Sequence, residues 1–457
     1  MSKFDDPTLP GAPETIDPPE QKPKGWPLYA WVVLAVVLAV PVGLLLRVDA
    51  SWYDRLPTPA AVGLEGAIAA LDLVPRLIIR ALKALAAPLI VLAILSAIVT
   101  NDIRGRQGVR MMSYYVFNTT VAMTIGLALI LVVRPGAGSD LGGSNVDESA
   151  PPRLIDRLID RPSRPSPPEP KSVSAILTEM VPDSVGAAFA SNNIAQLVLL
   201  ALVLGIGLTI IRDRQRARGD SSHQTVIDLL TVGFELFMRV LLWIIALIPL
   251  AVFGIVALSV AWEGFDLFVR LAWFIVVVLL GLFGQLLVYL AEVGVFGRIA
   301  PARFLKGSAD VMATTFSTAS TAATMPVTLK ALTERLGVSR VSSQLAACVG
   351  TNFNNDGTAL YQAVATVFLA QAMGANLGPG ALVVVMLTTL VASVGAGGIP
   401  SGSFVTLPLI FAAVNLPAEL MPLLLTIDWF LDRGRTTINV LGDVTVAILL
   451  DRTEPTA

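Results

Sequence analysis

Apolar runs about as long as a bilayer is thick constrain this chain more than any other feature. They fall at residues 29–47, 74–99, 113–133, 194–211, 235–261 and 271–296. A bilayer's hydrocarbon core takes roughly 20 apolar residues as one helix. Inside it only helices and closed barrels satisfy their own backbone, and runs this long read as helices. The expected fold is therefore an all-α polytopic membrane protein. Composition agrees: 54% of the 457 residues are hydrophobic and 14% are charged. Soluble domains carry about a quarter charged residues. The single cysteine, Cys348, allows no internal disulfide. The single histidine, His223, falls in a polar stretch read as a loop. Catalysis that needs several His or Cys ligands is thereby excluded, and an enzyme is not expected. A net charge of −2 gives no sign of a nucleic-acid partner.

Residues 1–27 are proline-rich and charged, the composition of a disordered tail. They are too long and too acidic for a cleaved leader, so the first apolar run reads as an uncleaved anchor. Lys and Arg mark cytoplasmic loops. Lys22 and Lys24 precede the first helix; Arg104, Arg106 and Arg110 lie between the second and third. Arg212, Arg214, Arg216 and Arg218 lie between the fourth and fifth; Arg298, Arg303 and Lys306 follow the sixth. The alternate loop "AWEGFD" carries only acids. Both termini are thus expected in the cytoplasm of a cell whose inner membrane holds the protein. Residues 135–190, rich in Pro and mixed charge, read as an extracellular insertion, because long loops translocate largely regardless of charge.

From 301 to 450 the apolar pattern is broken. Residues 311–330 read "VMATTFSTASTAATMPVTLK", with basic residues on both flanks. This is the pattern of a re-entrant hairpin entered from the cytoplasm. Residues 391–408, "VASVGAGGIPSGSFVTLP", read as a second hairpin entered from outside. Irregular backbone survives at membrane depth only where protein buries it or a wet cavity meets it. Two interrupted hairpins of opposite orientation point to an inverted repeat around a transport site at the midplane. The plain alternative is two glycine-rich helices packed closely on their neighbours.

The last apolar segment, "IDWFLDRGRTTINVLGDVTVAILLDR", separates these readings. Asp428, Asp432, Arg435, Thr436, Asn439 and Asp443 recur at helical spacing and share one face. A charge at the bilayer centre costs about 2.5–3.5 kcal/mol, so such a stripe faces a partner or a cavity. One Asp with one Arg would fit an ion pair that fixes packing. Three acids, an arginine and an asparagine exceed it, and the excess acid points to guests that bring positive charge. The planar fork of Arg435 suits a carboxylate and Asp432 suits an ammonium, which together describe an acidic amino acid. The stretch "TNFNNDGTALYQ" at 351–362 adds Asn354 and Asp356, hard oxygen ligands suited to Na⁺. Gly357 reads as the point where the backbone turns in an unwound helix.

Four segments, "STASTAATMPVT", "NNDGTALYQ", "SVGAGGIPSG" and "DWFLDRGRTTINVLGD", resemble the signature segments of the glutamate transporter family, the dicarboxylate/amino acid:cation symporters. "LIIRALKALAAPLIVLAILSAIV" and "YYVFNTTVAMTIG" are similar to its second and third helices. The resemblance implies eight transmembrane helices, two re-entrant helical hairpins and inverted repeats, assembled as a homotrimer in the lipid bilayer. Helices one and two (28–110) and four and five (191–262) would form a scaffold. Helix three (111–134) and residues 263–450 would form a transport domain sliding like an elevator: helix six, hairpin one, helix seven, hairpin two and helix eight. Residues 451–457 would be a C-terminal tail.

The resemblance also assigns residues. Arg435 would hold the side-chain carboxylate of L-glutamate or L-aspartate, helped by Thr358 and the backbone N–H of Ser403. Asp432 would hold the ammonium with the carbonyls of Ala319 and Ile399, and with Thr436 nearby. Asn439 and the backbone N–H of Thr321, beside Ser320, would take the α-carboxylate. Arg433 would stand next to the site. One Na⁺ site would use Asn354, Asp443 and the carbonyls of Gly350 and Asn439. A deeper one would use Tyr115, Thr119, Asn354 and Asp356. A third would use the carbonyls of Asn352, Ser393, Val394 and Ala396. Na⁺ is thus expected as a co-transported ion, with no organic cofactor.

Three positions depart from the family pattern. Asn355 stands where methionine is usual, Asn352 where Thr or Ser is common, and Asn118 where a hydroxyl often stands. Gln362 replaces the glutamate of proton-coupled animal members, which argues against their proton route. Other readings are a proton-coupled glutamate carrier, a C4-dicarboxylate carrier, or an anion channel with a vestigial carrier site.

Overall fold

The apolar runs form helices in the computed structural model, which describes residues 28–46, 57–100, 105–138, 178, 181–190, 194–395, 403–416 and 421–453. The N-terminal tail and most of the 135–190 insertion lie outside these residues. In chain order the helices are α1 (Leu28–Leu46), α2 (Thr58–Thr100), α3 (Gly105–Val133), α4 (Val185–Ala190), α5 (Ile194–Ala217), α6 (Ser222–Ala246), α7 (Ile248–Glu263) and α8 (Asp266–Val295). There follow α9 (Pro301–Gly307), α10 (Ala309–Thr318), α11 (Thr321–Lys330), a π-helical turn (Ala331–Leu336), α12 (Arg340–Phe353), α13 (Asp356–Ala372), α14 (Pro379–Gly395), α15 (Ser403–Ala413) and α16 (Met421–Thr453). The described residues contain no strand.

Three expectations change here. The run at 235–261 is two helices that meet at Leu247, whose φ/ψ is −88°/−6°. Pro249 stands in the first turn of α7, where its missing N–H would be unpaired anyway. His223 is not in a loop: it lies in the first turn of α6 and is buried. Helix α2 also starts at Thr58 rather than near residue 74, and runs on through Pro75 and Pro88.

Stretches 63–96, 107–133, 222–246 and 268–295 are long and apolar enough to cross a membrane. Their outer faces stay apolar. Leu229, Val232, Leu236 and Trp243 of α6 are exposed, as are Trp273, Leu280, Phe283 and Leu287 of α8. In water such faces would drive association; in lipid they are the ordinary surface of a spanning helix.

Helix α2 packs on α5, α6 and α7, and α1 lies along α7. Helices α3, α8, α12, α13 and α16 pack on one another. At their centre α13 is buried from Asp356 to Ala372. The broken segments surround this core. Helices α10 and α11 are separated by Ala319, at φ 50°, and Ser320. The Ser320 hydroxyl caps α11 by accepting from the Ala323 N–H at 3.2 Å. Helices α12 and α13 are separated by Asn354 and Asn355, both outside helical geometry. The tip between α14 and α15 lies outside the described residues.

Candidate functional site

The charged stripe of α16 is buried where α13, α15 and α10 meet it. Arg435 is fully buried, and its Nη2 lies 2.9 Å from Asp428 and 2.7 Å from Asp432. Its Nη1 donates to the Ser403 hydroxyl at 3.0 Å, and its guanidinium stacks 4.0 Å over the Tyr361 ring. The Nε–H is buried without an acceptor among the described residues. Buried donors almost always find partners, so this one is a position where an acceptor could be taken up. Asp432 keeps 20% of its side chain accessible, whereas Asp428 keeps 3%. The acid expected to meet an ammonium is thus the reachable one. Thr436 is buried beside them.

The α10–α11 pair is tied to the same helix. Arg433 Nη1 donates to the carbonyls of Phe316 and Ser317, each at 2.8 Å. A cation on the last carbonyls of α10 suits the negative end of that helix. The bond holds the Ala319–Ser320–Thr321 break close to α16.

Asn439 is occupied at both ends. Its Oδ1 accepts from the N–H of Gly357 at 2.8 Å and more weakly from that of Thr358 at 3.4 Å. Its Nδ2 donates to the Thr358 hydroxyl at 3.0 Å and to Asn355 Oδ1 at 3.3 Å. Asn355 Nδ2 in turn donates to the Ser393 carbonyl at 2.9 Å. The residue that departs from the family pattern therefore bridges α14 to α16.

Gly357 does not turn the backbone. It is helical, in the first turn of α13, and the unwinding sits at Asn354 and Asn355. A Cβ at Gly357 would come within 2.5 Å of the Arg435 carbonyl, so glycine is there to let α13 and α16 touch. At Gly350 a Cβ would strike the Asp443 carboxylate, which approaches the backbone of α12 directly.

Two further acids complete the site. Asp443 Oδ1 accepts from Asn354 Nδ2 at 2.8 Å, and the same amide donates to the Asn439 carbonyl at 2.9 Å. Asp356 accepts from the hydroxyls of Thr119 and Tyr289, both at 2.5 Å. Tyr115 donates to the Ala346 carbonyl at 2.9 Å, close to Gly350 and Asp443. Asp356 and Asp443 are 0% and 3% exposed, and no basic side chain pairs with either among the described residues. Asn354 Oδ1 is buried and has no partner among the described residues. A hard monovalent cation fits this donor set, because it would use the spare oxygen and balance the acids. Of the carbonyls expected in a third cation site, Ser393 has Asn355 as a donor. The side chains of Asn352 and Val394, and all of Ala396 and Ile399, lie outside the described residues.

Tyr361, Tyr289, Asp428 as a partner of Arg435, and the Ser403 hydroxyl were not assigned from sequence. Tyr361 follows Thr358 by three positions and Tyr289 lies on the inner face of α8, so helical spacing carried a signal for both.

These features define a multi-pass membrane protein of all-α architecture with a buried, charged site where broken helices meet. Residues 28–453 match the model of the Sodium:dicarboxylate symporter family, and the chain belongs to that family of transporters. It is 28% identical over 452 residues to human Excitatory amino acid transporter 3, covering 90% of this chain and 83% of that protein. To human Neutral amino acid transporter B(0) it is 32% identical over 451 residues, covering 93% and 81%. To the Excitatory amino acid transporter of Caenorhabditis elegans it is 31% identical over 407 residues, covering 80% and 78%.

Proposed function

We propose that this protein is a secondary active symporter that carries L-glutamate or L-aspartate into the cell with Na⁺. One observation carries the substrate class: Arg435 is buried, faces Asp428 and Asp432, and holds an unpartnered Nε–H. A guest carboxylate completes the guanidinium's donor set, and a guest ammonium joins Asp432. A neutral side chain would leave that donor unpaired in a dry site, which costs about 1–3 kcal/mol. A dicarboxylate without an amine would leave the second acid, Asp432, without a new partner. The acidic reading is therefore favoured over the neutral and C4-dicarboxylate ones.

Na⁺ is supported by the pair of buried acids, Asp356 and Asp443, that lack basic partners among the described residues. Gln362 cannot titrate, and its amide donates to the Thr406 hydroxyl of α15. This argues against the proton route of a glutamate at that position, and not against every proton route. We assign Gly350, Asn354, Asn439 and Asp443 to one Na⁺, and Tyr115, Thr119, Asn354 and Asp356 to a second. Helices α1, α2, α5, α6 and α7 are read as a scaffold within a homotrimer. Helices α3 and α8 to α16 are read as the domain that moves as an elevator. Both termini are placed in the cytoplasm.

Proteoliposomes loaded with K⁺ and given external Na⁺ are expected to concentrate labelled L-aspartate. Uptake driven equally by a proton gradient alone would favour the proton-coupled reading. No concentrative uptake under either gradient, with anion conductance intact, would favour the channel reading.

A further inference from the structure

A cleft opens where α3 ends and α8 begins. It holds about 500 Å³ and is lined by Val133, Arg134, Pro135, Asp266, Arg270 and Trp273. Arg134 also borders a smaller cavity of about 180 Å³ beside Gln371 and Asn376. The chain leaves α3 through Arg134, whose φ of 49° is a left-handed position more usual for glycine. Its side chain gains little within the protein. Among the described residues the guanidinium makes one long hydrogen bond, to Asn376 Oδ1 at 3.4 Å, and no ion pair. Arg270 is fixed from the other side: Nη1 and Nη2 donate to the carbonyls of Ala137 and Gly138 at 2.5 and 2.7 Å. Two guanidiniums and one carboxylate, Asp266, leave the cleft with an excess of positive charge.

Topology does not account for this. Along the same two helices basic residues gather at the opposite end, with Arg110 near the start of α3 and Arg298 and Arg303 after α8. The loop "AWEGFD" that leads into α8 carries only acids. The walls of the cleft continue as an apolar, outward-facing surface. Val132 and Val133 of α3 and Trp273, Val276 and Leu280 of α8 are exposed. The three on α8 follow one another at helical spacing. Trp273 lies level with the arginines, where tryptophan commonly marks the edge of a membrane.

We propose that this cleft binds one anionic phospholipid, with its phosphate on Arg134, Arg270 supplying a second positive charge, and an acyl chain along α8 from Trp273 to Leu280. The planar fork of arginine suits paired phosphate oxygens. A monoanionic headgroup balances the excess charge, which a zwitterionic one would not. A free phosphate would leave the apolar wall uncovered. The proposal uses the membrane class of the chain and is independent of the substrate it carries.

Native mass spectrometry of the full chain, titrated with phosphatidylglycerol or with chain-matched phosphatidylcholine, counts the lipids retained per protomer. The native chain is expected to retain one more phosphatidylglycerol than phosphatidylcholine. Arg134→Ala should weaken retention of that lipid about 10-fold, and Arg134→Lys should recover part of it. An unchanged unfolding midpoint in phosphatidylcholine shows that the variants fold. Equal retention of the two lipids, or full retention by Arg134→Ala, would overturn the proposal. So would tighter retention of phosphatidylethanolamine, or displacement of phosphatidylglycerol by millimolar inorganic phosphate, which would assign the cleft to a soluble anion. A second measurement needs no variant. Phosphatidylglycerol with a photoreactive acyl chain, in proteoliposomes of the native chain, should label α8 between Trp273 and Leu280; labelling spread evenly over the other apolar helices would overturn the proposal.

Discussion

Arg435 holds two carboxylates at once, and in the proposed reading a guest carboxylate joins them. Removing one partner of a buried ion pair costs about 3–5 kcal/mol, because the other charge is left unpaired. Arg435→Gln should therefore lower thermal stability markedly. Adding Asp428→Asn should recover part of that loss, and strict additivity of the two variants would show that they are not coupled. Arg435→Cys should abolish binding of L-aspartate and allow a neutral amino acid to compete; unchanged L-aspartate affinity would remove Arg435 from the site. Asn355→Met frees the Ser393 carbonyl from a donor worth about 0.5–1.5 kcal/mol. Apparent Na⁺ affinity should tighten by about 2- to 10-fold, and a weaker Na⁺ dependence would contradict the bridging role. The α16 stripe was legible because helical spacing alone puts its residues on one face. Tyr361 under the guanidinium, and Tyr289 on Asp356, were not legible as partners. They come from helices that chain spacing does not relate to each other.

The broken helices are the elements that bring these side chains together. The unwinding in "TNFNNDGTALYQ" was visible in sequence as a polar cluster inside an apolar run, but its mechanism was misread. Gly357 looked like a turn residue because glycine often is one; its real task, contact with α16, depends on a neighbour 78 positions later in the chain. Gly357→Ala should overpack that contact and destabilise by about 1–3 kcal/mol, measured as a lower unfolding midpoint with substrate absent. At the start of α11, Ser320→Ala removes a helix cap and should cost about 1 kcal/mol. An unchanged midpoint in either variant would show that the contact carries no weight. The single run at 235–261 hid two helices, since hydropathy does not register a break between two equally apolar segments. Pro249 was the available clue.

At the scale of the molecule, the balance of buried charge sets the account. Arg435 answers Asp428 and Asp432, while among the described residues Asp356 and Asp443 have hydroxyl and amide partners and no basic one. At about 2.5–3.5 kcal/mol for each charge held in the membrane, the unbalanced acids favour a state in which cations are bound. Membrane class and helical architecture followed from run length and composition, which are bulk properties of a sequence. The charge balance did not, because it depends on which acid lies beside which base after folding. The most direct test is uptake of labelled L-aspartate into proteoliposomes with Na⁺ outside and none inside, repeated with Asp443→Asn. Accumulation that requires the Na⁺ gradient, and needs at least about 10-fold more Na⁺ in the variant, is the predicted result. Equal accumulation without Na⁺, or a variant with unchanged Na⁺ dependence, would contradict the coupling of these buried acids to transport.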